Sequence, residues 1–396
     1  MRLATRMSRL GTETAFEVLA RARVLESQGR DIIHLEIGEP DFDTPADVIN
    51  AGARAMTGGA THYSPAGGIP ELRAAIAEDA GRRRGLSMTA SQIVVTPGAK
   101  PIMFFVMLAL LEEGDSVAYP DPGFPIYESM VDFLGARRIP IGYRVKGGRF
   151  FFNVDDLIAK VDASTRLIIL NSPSNPTGAT LSHDDVSRIA QAARRVDAIV
   201  LSDEIYMRIL YEGKHESIAA IPGMAGRTVI LDGFSKTYAM TGWRLGYGIM
   251  PEELATAVTG LMINSNSCTA AFTQIAGVEA LNGSQTAAEN MVEEFRRRRG
   301  LIVQGLNAID GVSCAMPAGA FYAFPDIRGT GLSSRKAANL LLEEGGVAVL
   351  SGTAFGANGE GYLRLSYANS YENIQRALER IEEVFASARA VTAGGR

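Results

Sequence analysis

Seven short apolar runs, separated by helical patterns between about Ala46 and Leu281, constrain this chain more than any other feature. They are "IVVTPG" (Ile93–Gly98), "SVAYP" (Ser116–Pro120), "RRIPIGY" (Arg137–Tyr143), "RLIILNSP" (Arg166–Pro173), "AIVLSDEIY" (Ala198–Tyr206), "TVILDG" (Thr228–Gly233) and "RLGYGIM" (Arg244–Met250). They are β-rich, nearly continuous in apolar residues, and mostly end in Pro, Gly, Asp or Ser. A strand with one wet face alternates polar and apolar side chains, whereas a continuous run is covered on both faces. The chain therefore predicts an α/β fold with a mainly parallel seven-stranded sheet between helices.

At 396 residues the chain is long for one core, which favours two domains. After Gln285 the pattern changes to a long charged helix over 287–308, followed by shorter strands and helices. The first forty residues carry a helix over 14–28 and the turn-rich "IGEPDFDTP" (Ile37–Pro45). The expected division is an N-terminal arm and part of the small domain (1–45), a large domain (46–285) and a C-terminal small domain (286–396). The smaller α+β domain is thus built from both chain ends. The closing "TAGGR" reads as a disordered tail.

Charge and composition exclude several classes. With 39 basic and 44 acidic residues the net charge is −5, too mild to indicate a polyanion partner. The runs "RRR" (Arg82–Arg84) and "RRRR" (Arg296–Arg299) are expected on solvated helix faces, the second paired with Glu293 and Glu294 at helical spacing. Two distant cysteines, Cys268 and Cys314, give no disulfide framework, and four scattered histidines give no metal-ligand spacing, so no metal site is expected. The longest strongly apolar run, Ile102 to Leu111, is too short to span a bilayer, and "MRLATRMSRL" lacks a signal peptide's apolar core. A soluble, cytoplasmic protein is expected, with no nucleic-acid or membrane partner.

In open α/β sheets, ligands bind beyond the carboxyl ends of the strands. After the first run comes "PGAK", where Gly98 and Ala99 lead into a helix opened by Pro101 and offer backbone N–H groups to a phosphate. After "RLIIL" comes "NSPSNPTGAT", with Asn175 held extended before Pro176. After "AIVL" comes "SDEIY", with Asp203 and Tyr206, and after "TVIL" comes "DGFSK", with Ser235 and Lys236. Taken singly, each is a cap or turn residue. Taken together they suit one ligand that carries an aldehyde, a ring nitrogen, a phenolic oxygen and a phosphate.

The motifs "GEPDFDTP", "YSPAGGIPELR", "PGAK", "NSPSNPTGA", "SDEIY", "FSKTYAMTGWRLGY" and "RLSYANS" run in this order across nearly the whole chain. In this the chain resembles the class I aminotransferases, pyridoxal-phosphate enzymes of fold type I. It is most similar to the bacterial branch that includes prokaryotic aspartate aminotransferases. The resemblance implies pyridoxal 5'-phosphate as cofactor and ping-pong transfer of an amino group from an L-amino acid to a 2-oxo acid, with glutamate and 2-oxoglutarate as one pair.

By motif, Lys236 corresponds to the Schiff-base lysine, Asp203 to the partner of the ring nitrogen, and Asn175 and Tyr206 to donors to the ring oxygen. Ser235, Arg244 and the backbone of Gly98, Ala99 and Lys100 correspond to the phosphate site. Phe124 stands where many relatives stack Trp or Tyr on the pyridine. Tyr63 matches a tyrosine that reaches the neighbouring subunit's phosphate, which implies a homodimer with shared active sites. Arg364 resembles the arginine that grips the substrate α-carboxylate, and Gly38 the glycine whose backbone lines the substrate.

The side-chain preference stays open. Pro251 to Ala280, where an arginine for a distal carboxylate would be sought, contains none. Lys100 matches a lysine that another bacterial branch places near an acidic side chain, while Phe16, Phe124 and Ile126 could line an aliphatic or aromatic pocket. The same scaffold also supports lyase and decarboxylase chemistry, which motifs at the cofactor do not separate.

Overall fold

All seven apolar runs are strands of a single sheet: β1 (Ile93–Thr96), β2 (Ser116–Pro120), β3 (Arg137–Ile141), β4 (Thr165–Asn171), β5 (Ile199–Asp203), β6 (Thr228–Gly233) and β7 (Gly246–Ile249). Their order is β1-β7-β6-β5-β4-β2-β3. Neighbours run parallel except at β7, which is antiparallel to both β1 and β6. The computed structural model describes residues 1–394, with side chains through Ala390.

The continuous apolar runs arise because both sheet faces are covered. Leu167, Ile169, Leu201 and Leu231 pack with Ile102, Val106 and Met262 on one face. Ile168, Leu170 and Val200, one residue out of step, pack with Val186, Ile189 and Ala193 on the other. Burying each such aliphatic side chain stabilises the fold by about 1.5–3 kcal/mol.

The helices that bear on the site and its supporting core are α1 (Ala15–Ser27), α2 (Pro70–Arg84), α3 (Lys100–Leu110), α4 (Ile126–Leu134), α5 (Thr286–Ala308) and α6 (Tyr371–Gly394). Pro101 sits in the first turn of α3, where a missing N–H leaves no helical bond unmade. The two chain ends share one core, in which Ile33 and Leu35 pack with Phe295 and Ile302 of α5 and Ile374 and Ile381 of α6. Residues Ile33–His34 also pair in parallel with Val347–Ala348. Tyr206 and Ile209 belong to the same cluster, so this core abuts the carboxyl edge of the sheet.

Two expectations are corrected by the structure. Neither arginine run lies wholly on a solvated face. The Arg84 side chain is 1% exposed and paired with Glu204 and Asp232. Arg298 is buried, with Nη1 2.7 Å from Asp41 Oδ1 and Nε 2.8 Å from Glu294 Oε1. Carboxylates from distant segments, with Glu294 one helical turn away, compensate these buried charges. The helix α6 also extends through the first three residues of "TAGGR", while Gly395 and Arg396 lie outside the described residues. Among the described residues no helix is long and apolar enough to cross a membrane.

Candidate active site

Strand register gathers the chemistry at one edge. Asn171 pairs with Asp203, and Gly246 pairs with both Gly233 and Thr96. The carboxyl ends of β4, β5 and β6 are therefore adjacent, and that of β1 lies at the same edge across β7. Because β7 is antiparallel, its entry residue Arg244 joins them at the same edge.

Just past the end of β6, Lys236 Nζ donates to the Gly38 carbonyl at 2.6 Å, tying the strand end to the "IGEPD" segment. Burial pushes the Lys236 amine down to about 8, against the opposing charge of Glu39 and with help from Lys100 and Arg364. Near neutral pH such an amine has a usable fraction in its nucleophilic, proton-accepting form.

Asp203 is buried at the end of β5. Tyr127 Oη donates to its Oδ2 at 2.6 Å, and the Ile205 N–H to its Oδ1 at 3.2 Å. Burial raises its carboxyl to about 6, with those two bonds opposing the rise. A buried carboxylate in this state favours a cationic N–H partner. Asn171 ties the neighbouring strand ends together: its Nδ2 donates to the Asp203 carbonyl at 3.1 Å, and its Oδ1 accepts from the Asn175 N–H at 2.7 Å.

The Tyr206 and Tyr322 hydroxyls are 2.6 Å apart, with their rings edge-on at 5.7 Å. Burial raises both phenols, so each remains a neutral donor. Tyr322 also covers Gly38 so closely that a Cβ there would collide with its hydroxyl.

Arg364, on the strand Leu363–Ser366, is buried, and burial pulls its pKa down. Its Nη2 donates to the Glu36 carbonyl, and its Nη1 lies 3.5 Å from Asn175 Oδ1. The guanidinium lies 4.6 Å from the Tyr322 ring centroid, while Nε is buried without a hydrogen-bond partner among the described residues. A cation held this way is suited to a carboxylate arriving from solution.

Arg244 meets the start of α3 at the same edge. Arg244 takes a left-handed φ of 53° and donates from Nη1 to the Thr241 carbonyl at 2.8 Å. Its guanidinium rests against Gly98, where a Cβ would collide with it. Gly246 is pressed equally closely onto the Ala99 N–H. Arg244 and the open N–H groups at the start of α3 meet there, while Ser235 is buried one residue before Lys236.

The remaining predicted residues are placed less uniformly. Phe124 packs edge-on against Tyr127 at 5.7 Å, so it stands beside the partner of Asp203. Lys100 is occupied by an ion pair with Glu13. Tyr63 is 89% exposed and, among the described residues, joins no hydrogen bond of the Lys236 cluster. Tyr127, Tyr322, Asn171 and Glu13 were not anticipated from sequence. Tyr127 follows Phe124 by three residues at the start of α4, but nothing local shows its reach to Asp203.

Comparison with known proteins identifies the family. Residues 30–381 match the family described as aminotransferase class I and II. An aspartate aminotransferase of Pyrococcus horikoshii is 40% identical over 370 residues, covering 93% of each chain. An aromatic-amino-acid aminotransferase of Thermococcus litoralis is 40% identical over 89% of this chain and 91% of its own. Among solved structures, the Thermus thermophilus aspartate aminotransferase with maleate superposes with a TM-score of 0.91 at 38% identity, over 97% of this chain and all of that one.

Proposed function

The chain belongs to the class I and II aminotransferases, and on that premise we propose how its residues divide the work of amino-group transfer. As a member of that family it is a pyridoxal-phosphate-dependent enzyme of fold type I. The side chains at the strand ends suit the cofactor group by group. Lys236 supplies the amine for the aldehyde, Asp203 the anion for the ring nitrogen, and Tyr206 and Asn175 donors for the ring oxygen. Phe124 flanks the ring. Arg244, Ser235 and the backbone of Gly98, Ala99 and Lys100 receive the phosphate, in the cradle that only glycine at 98 leaves open.

When bound, the cofactor draws electrons from the substrate α-carbon and so acidifies its proton. The chain does the rest. Arg364, with Asn175 beside it, binds the α-carboxylate and fixes which bond at Cα faces Lys236. Gly38 presents its carbonyl to the Lys236 amine, and Tyr322 closes the space above that glycine. Lys236, with its pKa lowered to about 8, takes the proton from Cα. Two half-reactions of this kind give ping-pong transfer between an L-amino acid and a 2-oxo acid.

We further place the protein in the cytoplasm as a homodimer in which Tyr63 serves the neighbouring subunit's phosphate. The domain division is 1–45, 46–285 and 286–396. The observation that carries the reading is the half-buried Lys236, its amine held on the Gly38 carbonyl at the same strand edge as the buried Asp203 carboxylate. The test is borohydride reduction of the cofactor-loaded protein followed by peptide mass analysis. The cofactor should be fixed on Lys236, and Lys236→Ala should abolish keto-acid formation. Substantial transamination by that variant would overturn the assignment, and release of ammonia or CO2 in place of keto acid would favour a lyase or decarboxylase.

A further inference from the structure

We propose that Glu13 is a specificity-determining residue: by holding Lys100 in an ion pair, it turns the side-chain end of the site toward amino acids with uncharged side chains. This rests on the transaminase reading and names its substrate class.

Lys100 opens α3 directly after Gly98 and Ala99, and its charge is among those acting on Lys236. The Lys100 ammonium is bonded to Glu13 Oε1, from the segment just ahead of α1. It also lies 5.4 Å from the Phe124 ring centroid and 6.0 Å from that of Phe16. The Lys100 side chain is 45% exposed and that of Glu13 17%, so the carboxylate is the more enclosed partner.

The approach of Glu13 is imposed by the backbone. Two residues earlier, the Gly11 N–H donates to Ser129 Oγ at 2.9 Å, and that hydroxyl donates back to the Gly11 carbonyl at 3.0 Å. Arg9 Nη2 adds a bond to the Phe133 carbonyl at 3.2 Å. The segment is thereby strapped to α4 and delivers the carboxylate to Lys100. Glu13 is also among the charges acting on Lys236, Tyr322 and Arg364, which puts it on the substrate side of the edge.

The consequence is electrostatic. A substrate with a second carboxylate needs a cation beyond Arg364, and Pro251 to Ala280 supplies no arginine. It must separate Lys100 from Glu13 and then lie against a displaced anion. An apolar side chain meets Phe16 and Phe124 and leaves the pair intact.

The experiment compares the wild-type holoenzyme with Glu13→Gln and Glu13→Gln/Lys100→Gln. Dissociation constants for succinate and 3-phenylpropionate are read by calorimetry, and kcat/KM is measured for L-aspartate and L-phenylalanine. Glu13→Gln should strengthen succinate relative to phenylpropionate by about fivefold or more, which is ~1 kcal/mol. The aspartate-to-phenylalanine ratio should rise likewise, and Lys100→Gln should reverse both gains. A succinate-to-phenylpropionate ratio that moves by less than this overturns the role of Glu13, as does a wild type that already prefers aspartate. If no donor yields a keto acid, the transaminase reading fails instead, and the two binding constants still decide whether Glu13 controls Lys100.

Discussion

At the scale of single residues, the site works by holding charges in states they would not keep in water. Arg364 is a buried cation whose pKa burial pulls down, and its planar fork is aligned by the Glu36 carbonyl and Asn175. Arg364→Lys keeps the charge and loses the fork. Losing a charge-assisted contact worth about 1.5–3 kcal/mol should raise KM for every amino acid tested by roughly ten- to a hundredfold. Steady-state kinetics with several donors would check that the loss is uniform. Asp203 offers a test by pH. Its carboxyl sits near 6, raised by burial and restrained by the Tyr127 hydroxyl. Tyr127→Phe removes that donor, so the carboxyl should rise further. The ionised form is the one proposed to serve the cofactor, so kcat/KM should fall more at pH 6 than at pH 8. A pH profile whose acid limb does not move upward would contradict this.

These residues also mark what could be read in advance. Lys236 and Asp203 were legible because Asp203 ends, and Lys236 closely follows, a strand buried on both faces, and such strands announce themselves as unbroken apolar runs. Tyr127 and Tyr322 were not, because they reach their partners Asp203 and Tyr206 from 76 and 116 positions away. Only the folded sheet defines that proximity. Glu13 meets Lys100 across 87 positions for the same reason.

At the scale of elements, α2 braces the two strand ends that carry Asp203 and Lys236. Its last residue, Arg84, lies 2.7 Å from Glu204 Oε2 and 3.0 Å from Asp232 Oδ2. Glu204 directly follows Asp203, and Asp232 is the penultimate residue of β6, four positions before Lys236. Ser202 and Ser217 donate to Glu204 Oε1 at 2.9 and 2.6 Å, and Tyr247 to Asp232 Oδ2 at 3.1 Å. Burial acts to raise the Glu204 carboxyl, but Arg84 and His215 overcome it and hold it well below the carboxylate range. A tripeptide "RRR" read as a solvated stripe conceals this, since its compensating carboxylates lie over a hundred positions downstream. Arg84→Met should leave the buried Asp232 without its cation and Glu204 with His215 alone, and cost about 3–5 kcal/mol of stability. Urea unfolding should show a lower midpoint, and an unchanged midpoint would show that the brace is dispensable.

The strand Ile33–His34 carries a pH-dependent element of its own. His34 Nδ1 lies 2.7 Å from Glu36 Oε1, and Nε2 lies 3.0 Å from Glu26 Oε1. The hydrogen bond to Glu36 raises the imidazole to about 9, overcoming partial burial, with Glu26 assisting. A raised pKa means that the folded state keeps a proton the unfolded chain releases near 6.5. The stabilisation is complete below about pH 6.5 and is lost as pH rises through about 9. His34→Gln should flatten the fall in unfolding free energy across that window, and a slope identical to wild type would exclude the pair as its source.

At the scale of the whole molecule, the arrangement leaves one predicted residue unused within its own chain. Tyr63 is 89% exposed, and Ile263, Met56 and Ile49 are exposed apolar side chains as well. A tyrosine whose ring and hydroxyl both lie outside its own core is suited to a neighbouring surface. If Tyr63 completes the phosphate site of a second copy, each active site draws on two chains, and defects in different chains can complement each other. Neither Tyr63→Ala nor Lys236→Ala can form a fully intact site alone. A mixed dimer pairs the Tyr63 of the lysine variant with the Lys236 of the tyrosine variant, restoring one site and doubly disabling the other. Random assembly on co-expression makes half the dimers mixed, so activity should approach about a quarter of wild type. That recovery should exceed the mean of the two parents and require both chains in one particle. Activity equal to that mean would confine Tyr63 to its own subunit, or to no site at all. In either case the proposed dimer would share a surface without sharing its chemistry.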